Sequence, residues 1–257
     1  GARAVPALLA WGGQSKRPSW VRVQEEAALL PADFAKVAHV FLGGEKWRAI
    51  EKDVAAAIAL LPNAPRVRVY LVERASAATP AREGSLSRLG GSAHGLPAAQ
   101  VPRDDDGEEL THILTLDLDD APELRARYPR ASAIALFTPA PEEGDRVEDS
   151  VIVSLPLTKT KGRASGGEAL AVLGIDVPSE VFADPESLEP ALGAVQSRVW
   201  HAGAHVLGRP FWVEGKPFQA DDAAGFVMQV NDGLSDELNL GDGSLYVYDD
   251  AVIKQAL

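Results

Sequence analysis

His201 and His205 stand four apart, the spacing at which one helical face would offer two imidazoles to a zinc ion. The run Trp200-His201-Ala202-Gly203-Ala204-His205 lacks the glutamate that follows the first histidine in a metalloprotease helix, and nothing nominates a third ligand. At about 100° per residue both imidazoles fall off the apolar stripe that runs from Leu188 to Val206, toward solvent or a loop. The expectation is a chain with no metal site. Ser87, His94 and Asp117 can be written down as a triad, but no nucleophile elbow supports it, and Ser87 reads as a turn residue bonded to local backbone. Asp104-Asp105-Asp106-Gly107-Glu108-Glu109 lacks the alternating ligands and distal glutamate of a calcium loop, so it reads as a tight turn. Gly162-Arg163-Ala164-Ser165-Gly166-Gly167 has neither the Gly-Lys-Ser/Thr ending of a phosphate loop nor the strand–turn–helix setting of a dinucleotide fingerprint. It reads as a flexible loop suited to a partner contact, and no cofactor is expected.

Composition narrows the chemistry further. The chain has no cysteine, which removes disulfides, thiolate metal sites and cysteine nucleophiles together. Its net charge of -12 argues against nucleic acid, which needs a basic face to displace counterions. Lys159, Lys161 and Arg163 are the one dense basic stretch. No run approaches the roughly 20 apolar residues of a membrane span. The segment Val5–Trp11 is too short for one and lacks the flanks of a signal peptide, so the chain reads as cytoplasmic. With 46% hydrophobic residues over 257 positions, a single domain with a large core is expected.

Residue spacing then predicts the elements that would position these groups. Trp20–Val23 alternates as a short strand, a helix is expected from Pro31 to Gly43, and a second helix runs from Trp47 to Leu61, ended by Pro62. Arg66–Glu73 alternates as a half-buried strand, and Ala75–Glu83 reads as a loop. Strands are expected at Leu110–Leu116, Ala133–Phe137, Val151–Leu155, Phe226–Val230 and Leu245–Tyr248. Glu168–Leu173 reads as a short helix. Leu188 to Val206 reads as one long helix ended by Gly208, with its cap at Asp184-Pro185-Glu186 or its regular part beginning later, at Pro190.

Two stretches echo each other. Leu89-Gly90 leads through prolines to Asp104-Asp105-Asp106-Gly107 and the strand ending in Asp117; Leu207-Gly208 leads through Pro210 and Pro217 to Asp221-Asp222 and the strand ending in Asn231. The reading is a duplication within residues 86–257, preceded by an N-terminal helical and strand extension over residues 1–85. Ser87-Arg88-Leu89-Gly90-Gly91, with Leu96-Pro97 and Pro102, resembles the first signature of the YwqG-like bacterial family, which has no established general function. Leu207-Gly208-Arg209-Pro210 through Glu214-Gly215, Met228–Asn231 and Leu240-Gly241-Asp242-Gly243 through Tyr248 resemble its later signatures. The resemblance covers about residues 87–248 and is patchy between Thr138 and Val199. Val101, Thr115 and Leu240 depart from the family's usual Trp, Gln and Trp.

What the resemblance implies is an α+β fold of duplicated, mainly antiparallel β units with packed helices. It implies no activity. The polar residues of these signatures, Arg88, Asp117, Glu214, Gln229, Asn231 and Asp242, are the candidates for a ligand site. If the repeats are symmetric, Asp117 and Asn231 converge at equivalent strand ends. Asp117 with Asp242 could do acid–base work only if one carboxyl were desolvated; both are also ordinary turn residues. Two functions follow. One is a non-catalytic protein-binding module, antitoxin- or immunity-like toward a basic bacterial toxin or effector, its acidity speeding association. The other is a small-molecule-binding protein or enzyme using the polar residues of the signature turns.

Overall fold

The computed structural model describes residues 47–76, 79–93, 95–139, 150–156, 166–212, 225–234, 243–249 and 251–255. The chain divides into two compact units, residues 1–49 with 76–80 and residues 50–75 with 81–257. In the smaller unit, Ser76 and Thr79 close a turn: the Ser76 N–H donates to the Thr79 carbonyl at 3.0 Å, and the Thr79 N–H to Ser76 Oγ at 3.1 Å. The expected strand at Trp20–Val23 and helix from Pro31 lie outside the described residues.

Helix α1 covers 47–60, close to its predicted span. It buries Ile50 and Ala57. The turn after it is held from the following strand, where Arg66 donates from Nη2 to the carbonyls of Leu61 and Pro62.

The larger unit is mainly antiparallel sheet with helices, an α+β arrangement. Ten strands follow in chain order: β1 Arg66–Arg74, β2 Arg88–Leu89, β3 Thr111–Asp117, β4 Ala131–Thr138, β5 Val151–Pro156, β6 Glu168–Pro178, β7 Ala204–Val206, β8 Phe226–Asn231, β9 Ser244–Tyr248 and β10 Val252–Gln255. They form one sheet in the order β10-β9-β8-β7-β1-β6-β2-β3-β4-β5, every pairing antiparallel. The pattern reads alike from both ends. β1 and β6 pair at the centre, β7 to β10 extend beyond β1, and β2 to β5 extend beyond β6. The second strand of each set of five therefore pairs with the first strand of the other set.

The match extends to single residues. Leu89 faces Leu114, and Val206 faces Met228. β3 carries a bulge between His112 and Leu114, and β8 one between Phe226 and Met228. At these bulges the Gly90 N–H donates to the Ile113 carbonyl at 2.7 Å, and the Leu207 N–H to the Val227 carbonyl at 2.9 Å. Gly90 and Leu207 share a positive φ of 62°. The pairing thus sets Gly90 against Leu207, one residue away from the alignment that the two Leu-Gly pairs suggest.

Alternation sorts the side chains onto two faces. One face builds a single core that takes Tyr70 and Val72 from β1, Leu114 and Leu116 from β3, Ile134 and Leu136 from β4, Met228 and Val230 from β8, and Leu245 and Val247 from β9. A core shared by strands so far apart in the order requires the sheet to curl around it. Beyond β3, Arg127 donates to the Phe226 carbonyl at 2.7 Å and Tyr128 to Asp249 at 3.0 Å, tying the first set to the second across that curl. On the other face the first set packs Ala133, Ala135, Phe137 and Leu155 against Ala93 and Leu110. The second set packs Phe226, Tyr246 and Tyr248 with Trp212.

Two expectations are corrected. Glu168–Leu173 is not a helix but the start of β6, because its apolar residues serve both faces and pair with β1 over nine positions. The long helix stops early: α2 is Pro190–Trp200, preceded by a separate single turn at Pro185–Ser187 that Asp184 caps. Past it, Ala204 and Val206 point into the core while His205 points away, a period of two that only a strand supplies.

Candidate functional site

The end of β3 carries the densest polar cluster. Asp117 is buried, and its carboxylate accepts the Leu86 N–H at 2.9 Å, the Asp119 N–H at 2.9 Å and Arg82 Nη2 at 2.8 Å. Asp120 accepts Arg82 Nε at 2.5 Å, Ser87 Oγ at 2.5 Å and the Ser85 hydroxyl. Ser87 Oγ in turn accepts the Asp117 N–H at 2.9 Å. Two adjacent carboxylates are thereby tolerated by one guanidinium, two hydroxyls and two backbone donors. The cluster ties the segment before β2 to the turn after β3. Ser87 is thus held by Asp120 and by backbone rather than by a histidine, and His94 lies outside the described residues.

The matching position on β8 is Asn231. Its amide nitrogen donates to the carbonyls of Trp200 at 2.8 Å and Ala202 at 2.7 Å. Its oxygen accepts Gln229 Nε2 at 3.0 Å and Ser244 Oγ at 2.7 Å. Gln229 also accepts the Phe211 N–H at 2.8 Å, and Tyr246 donates to the Phe211 carbonyl at 2.7 Å. The last carbonyl of α2, that of Trp200, and the carbonyl of Ala202 just beyond the helix are thus satisfied by a side chain from the sheet.

Asp117 and Asn231 hold corresponding places at the ends of β3 and β8. Four strands stand between β3 and β8 in the sheet order, and the two residues share no hydrogen-bond partner among those described. Gln229 joins Asn231; Arg88 stands on β2 opposite Thr115, two residues before Asp117 along β3. Glu214 and Asp242 lie outside the described residues.

The histidines depart from the expected pair. His201 caps α2, exposed, with Nδ1 against the Ser197 carbonyl at 2.7 Å, while His205 is fully buried on β7. They are on different elements, so the helical spacing does not apply. Among the described residues no cluster of three potential ligands forms. His205 Nε2 lies 3.0 Å from the Arg209 carbonyl, which makes it the protonated nitrogen; Nδ1 is buried without a partner. Phe211 and Phe226 pack on the ring. Burial pushes its pKa down to about 4, and the bond to the Arg209 carbonyl only partly opposes this.

His112 is the other buried histidine, and both of its nitrogens are engaged, Nδ1 with the Gly91 carbonyl at 3.1 Å and Nε2 with Thr115 Oγ1 at 2.9 Å. Burial lowers its pKa, the bonds to backbone oppose the shift, and the charge of Arg88 adds to it. Asp104 accepts the N–H groups of Asp106 and Glu108, making its acidic run the tight turn expected.

Sequence reasoning missed Arg82, Ser85 and Asp120, which complete the cluster around Asp117. An Arg-x-x-Ser-x-Ser run ahead of a strand, and a second Asp three residues after the first, is the signal that was there to read. No protein-family model matches the chain, and no curated protein is significantly similar to it.

Proposed function

We propose that this chain is a duplicated, YwqG-like domain that acts in the cytoplasm by binding a protein, with no catalysis of its own. An antitoxin or immunity role toward a basic bacterial toxin or effector is the concrete form. The observation that carries the reading is how Asp117, Gln229 and Asn231 are used. Each is bonded to backbone or to neighbouring side chains that fix a chain crossing, so none of these three is left as a free acid, base or nucleophile. The matching bulges and the strand exchange between the two sets support the duplication. An excess of 37 acidic over 25 basic residues favours a basic partner through long-range steering.

The test is kinetic. With the basic protein recovered by pull-down, the association rate should fall by about tenfold or more between low and high salt while dissociation changes little, because exposed charges act mainly on encounter. An association rate indifferent to salt would remove the steering argument, and turnover of a small metabolite by the pure protein would remove the non-catalytic one.

A further inference from the structure

Arg88 lies on β2 between Thr115 of β3 and Ala169 of β6. Its Nη1 is buried and meets no acceptor. Arg68, Arg74, Arg82, Arg127 and Arg198 each reach a carboxylate, whereas Arg130 and Arg209 are exposed to solvent. Arg88 is half-buried and, among the described residues, has no carboxylate beside it. In a chain with 37 acidic residues this is not a shortage of partners. A partly desolvated guanidinium without an acceptor is destabilising, and its persistence asks for a ligand. His112 is bonded to the Gly91 carbonyl and to Thr115, and neither His112 nor Thr115 lies within bonding distance of Arg88 Nη1.

The corresponding row of the second set shows what such a place can hold. There His205, Gln229 and Tyr246 grip three backbone groups of the segment from Arg209 to Phe211. In the first set the same row reads Arg88, Thr115 and Ala135, a cation with short neighbours, and Ala169 beside it is exposed. We propose that Arg88 binds an oxyanion, the carboxylate or phosphate group of a small ligand, which reaches the guanidinium over Ala169. A planar fork of N–H donors suits either group. This site is independent of the protein-binding reading.

The experiment titrates the whole chain with acetate and with inorganic phosphate, against chloride at matched ionic strength, and follows the arginine Nε–Hε resonances. A saturable shift of the Arg88 signal, absent from Arg130 and Arg209, is expected. Saturation by one anion at lower concentration identifies the source as carboxylate or phosphate. Arg88→Gln should abolish the shift-linked stabilisation, and Arg88→Lys should weaken binding about tenfold by losing the fork. Ala169→Glu places a carboxylate directly across the strand pair, so it should raise the melting temperature and block both anions. Failure of either anion to saturate the wild-type signal overturns the proposal, as does binding that survives Ala169→Glu. If Arg88→Gln does not fold, the wild-type titration and Ala169→Glu decide alone.

Discussion

The ends of β3 and β8 solve one packing problem with opposite chemistry. Each must hold the chain that leads into the second strand of its own set. Before β2 that chain offers N–H groups, and Asp117, an acceptor, receives the one from Leu86. Before β7 it offers carbonyls, because α2 has just ended, and Asn231 donates to two of them. A single change from oxygen to amide nitrogen is matched to the polarity of the backbone it meets. The difference teaches that these residues are chosen by the local shortage of donors or acceptors, which is why neither is left over for a substrate.

Exchanging the two residues should break the comparison most sharply. Asn231→Asp would turn one oxygen of a half-buried carboxylate toward two carbonyls while the other keeps Gln229 and Ser244, and should cost about 3 kcal/mol. Asp117→Asn keeps one acceptor oxygen and loses the charge facing Arg82, and should cost about 1.5–3 kcal/mol. Denaturant unfolding of both variants checks the order, and equal losses would show that the bonded atoms do not decide the outcome.

The buried histidines differ in the same spirit, His112 bonded at both nitrogens and His205 at one. For His205 the folded pKa of about 4 lies below the unfolded value of about 6.5. The unfolded chain therefore takes up the proton first. Stability is fully present above about pH 6.5, falls as pH drops toward 4, and levels off below it, a loss of about 3 kcal/mol from this residue. His112 acts in the same direction. His205→Gln, which can still donate to the Arg209 carbonyl, should flatten the slope between pH 6.5 and 4 in unfolding measurements. An unchanged slope would assign the acid sensitivity to other groups.

Much of this architecture was legible beforehand. β1 alternates, and β3, β4, β5, β8 and β9 are apolar runs bounded by Gly, Pro and Asp, long enough to be read, with predicted spans within one or two residues of the observed ones. β2 and β7 are two and three residues long, too short for any periodicity, and they exist because the longer strands on either side leave a gap to be paired. β6 is apolar on both faces, a run that a helix would share. Asp117, Gln229 and Asn231 were found as polar residues at strand ends, but their use was not, since donor–acceptor matching depends on which backbone arrives there. Arg88 was a candidate only through the signature it belongs to; what marks it in the structure is an absent neighbour, and absence has no sequence pattern.

Gly91 and Gly208 occupy corresponding positions with φ of 69° and 79°. A Cβ on Gly91 would sit 2.6 Å from the backbone carbon of Gly166, where the chain entering β6 crosses. One on Gly208 would meet the Phe182 ring at 2.6 Å, a side chain that can turn aside. Gly91→Ala should therefore cost about 2–4 kcal/mol and Gly208→Ala about 1–2 kcal/mol, both including the left-handed backbone penalty. Reversed magnitudes in denaturant melts would mean that the crossing yields more easily than the ring.

The smallest effect concerns Leu207, whose φ of 62° is the one positive value outside glycine among the described residues. Its counterpart Gly90 adopts the same angle without a side chain to strain. Leu207 remains because its side chain packs, half-buried, against the main core. That contact must offset a left-handed penalty of about 1 kcal/mol. Leu207→Ala loses the contact and keeps the strain. Leu207→Gly loses the contact and releases the strain, at an entropic cost of about 0.5–1 kcal/mol in the unfolded chain. The two variants should thus lie within about 0.5 kcal/mol of each other, although glycine is elsewhere the worse replacement. A glycine variant clearly less stable than the alanine one would show that the backbone at 207 is not held by the bulge geometry it shares with residue 90, and would separate the two sets of strands at the point where their pairing agrees best.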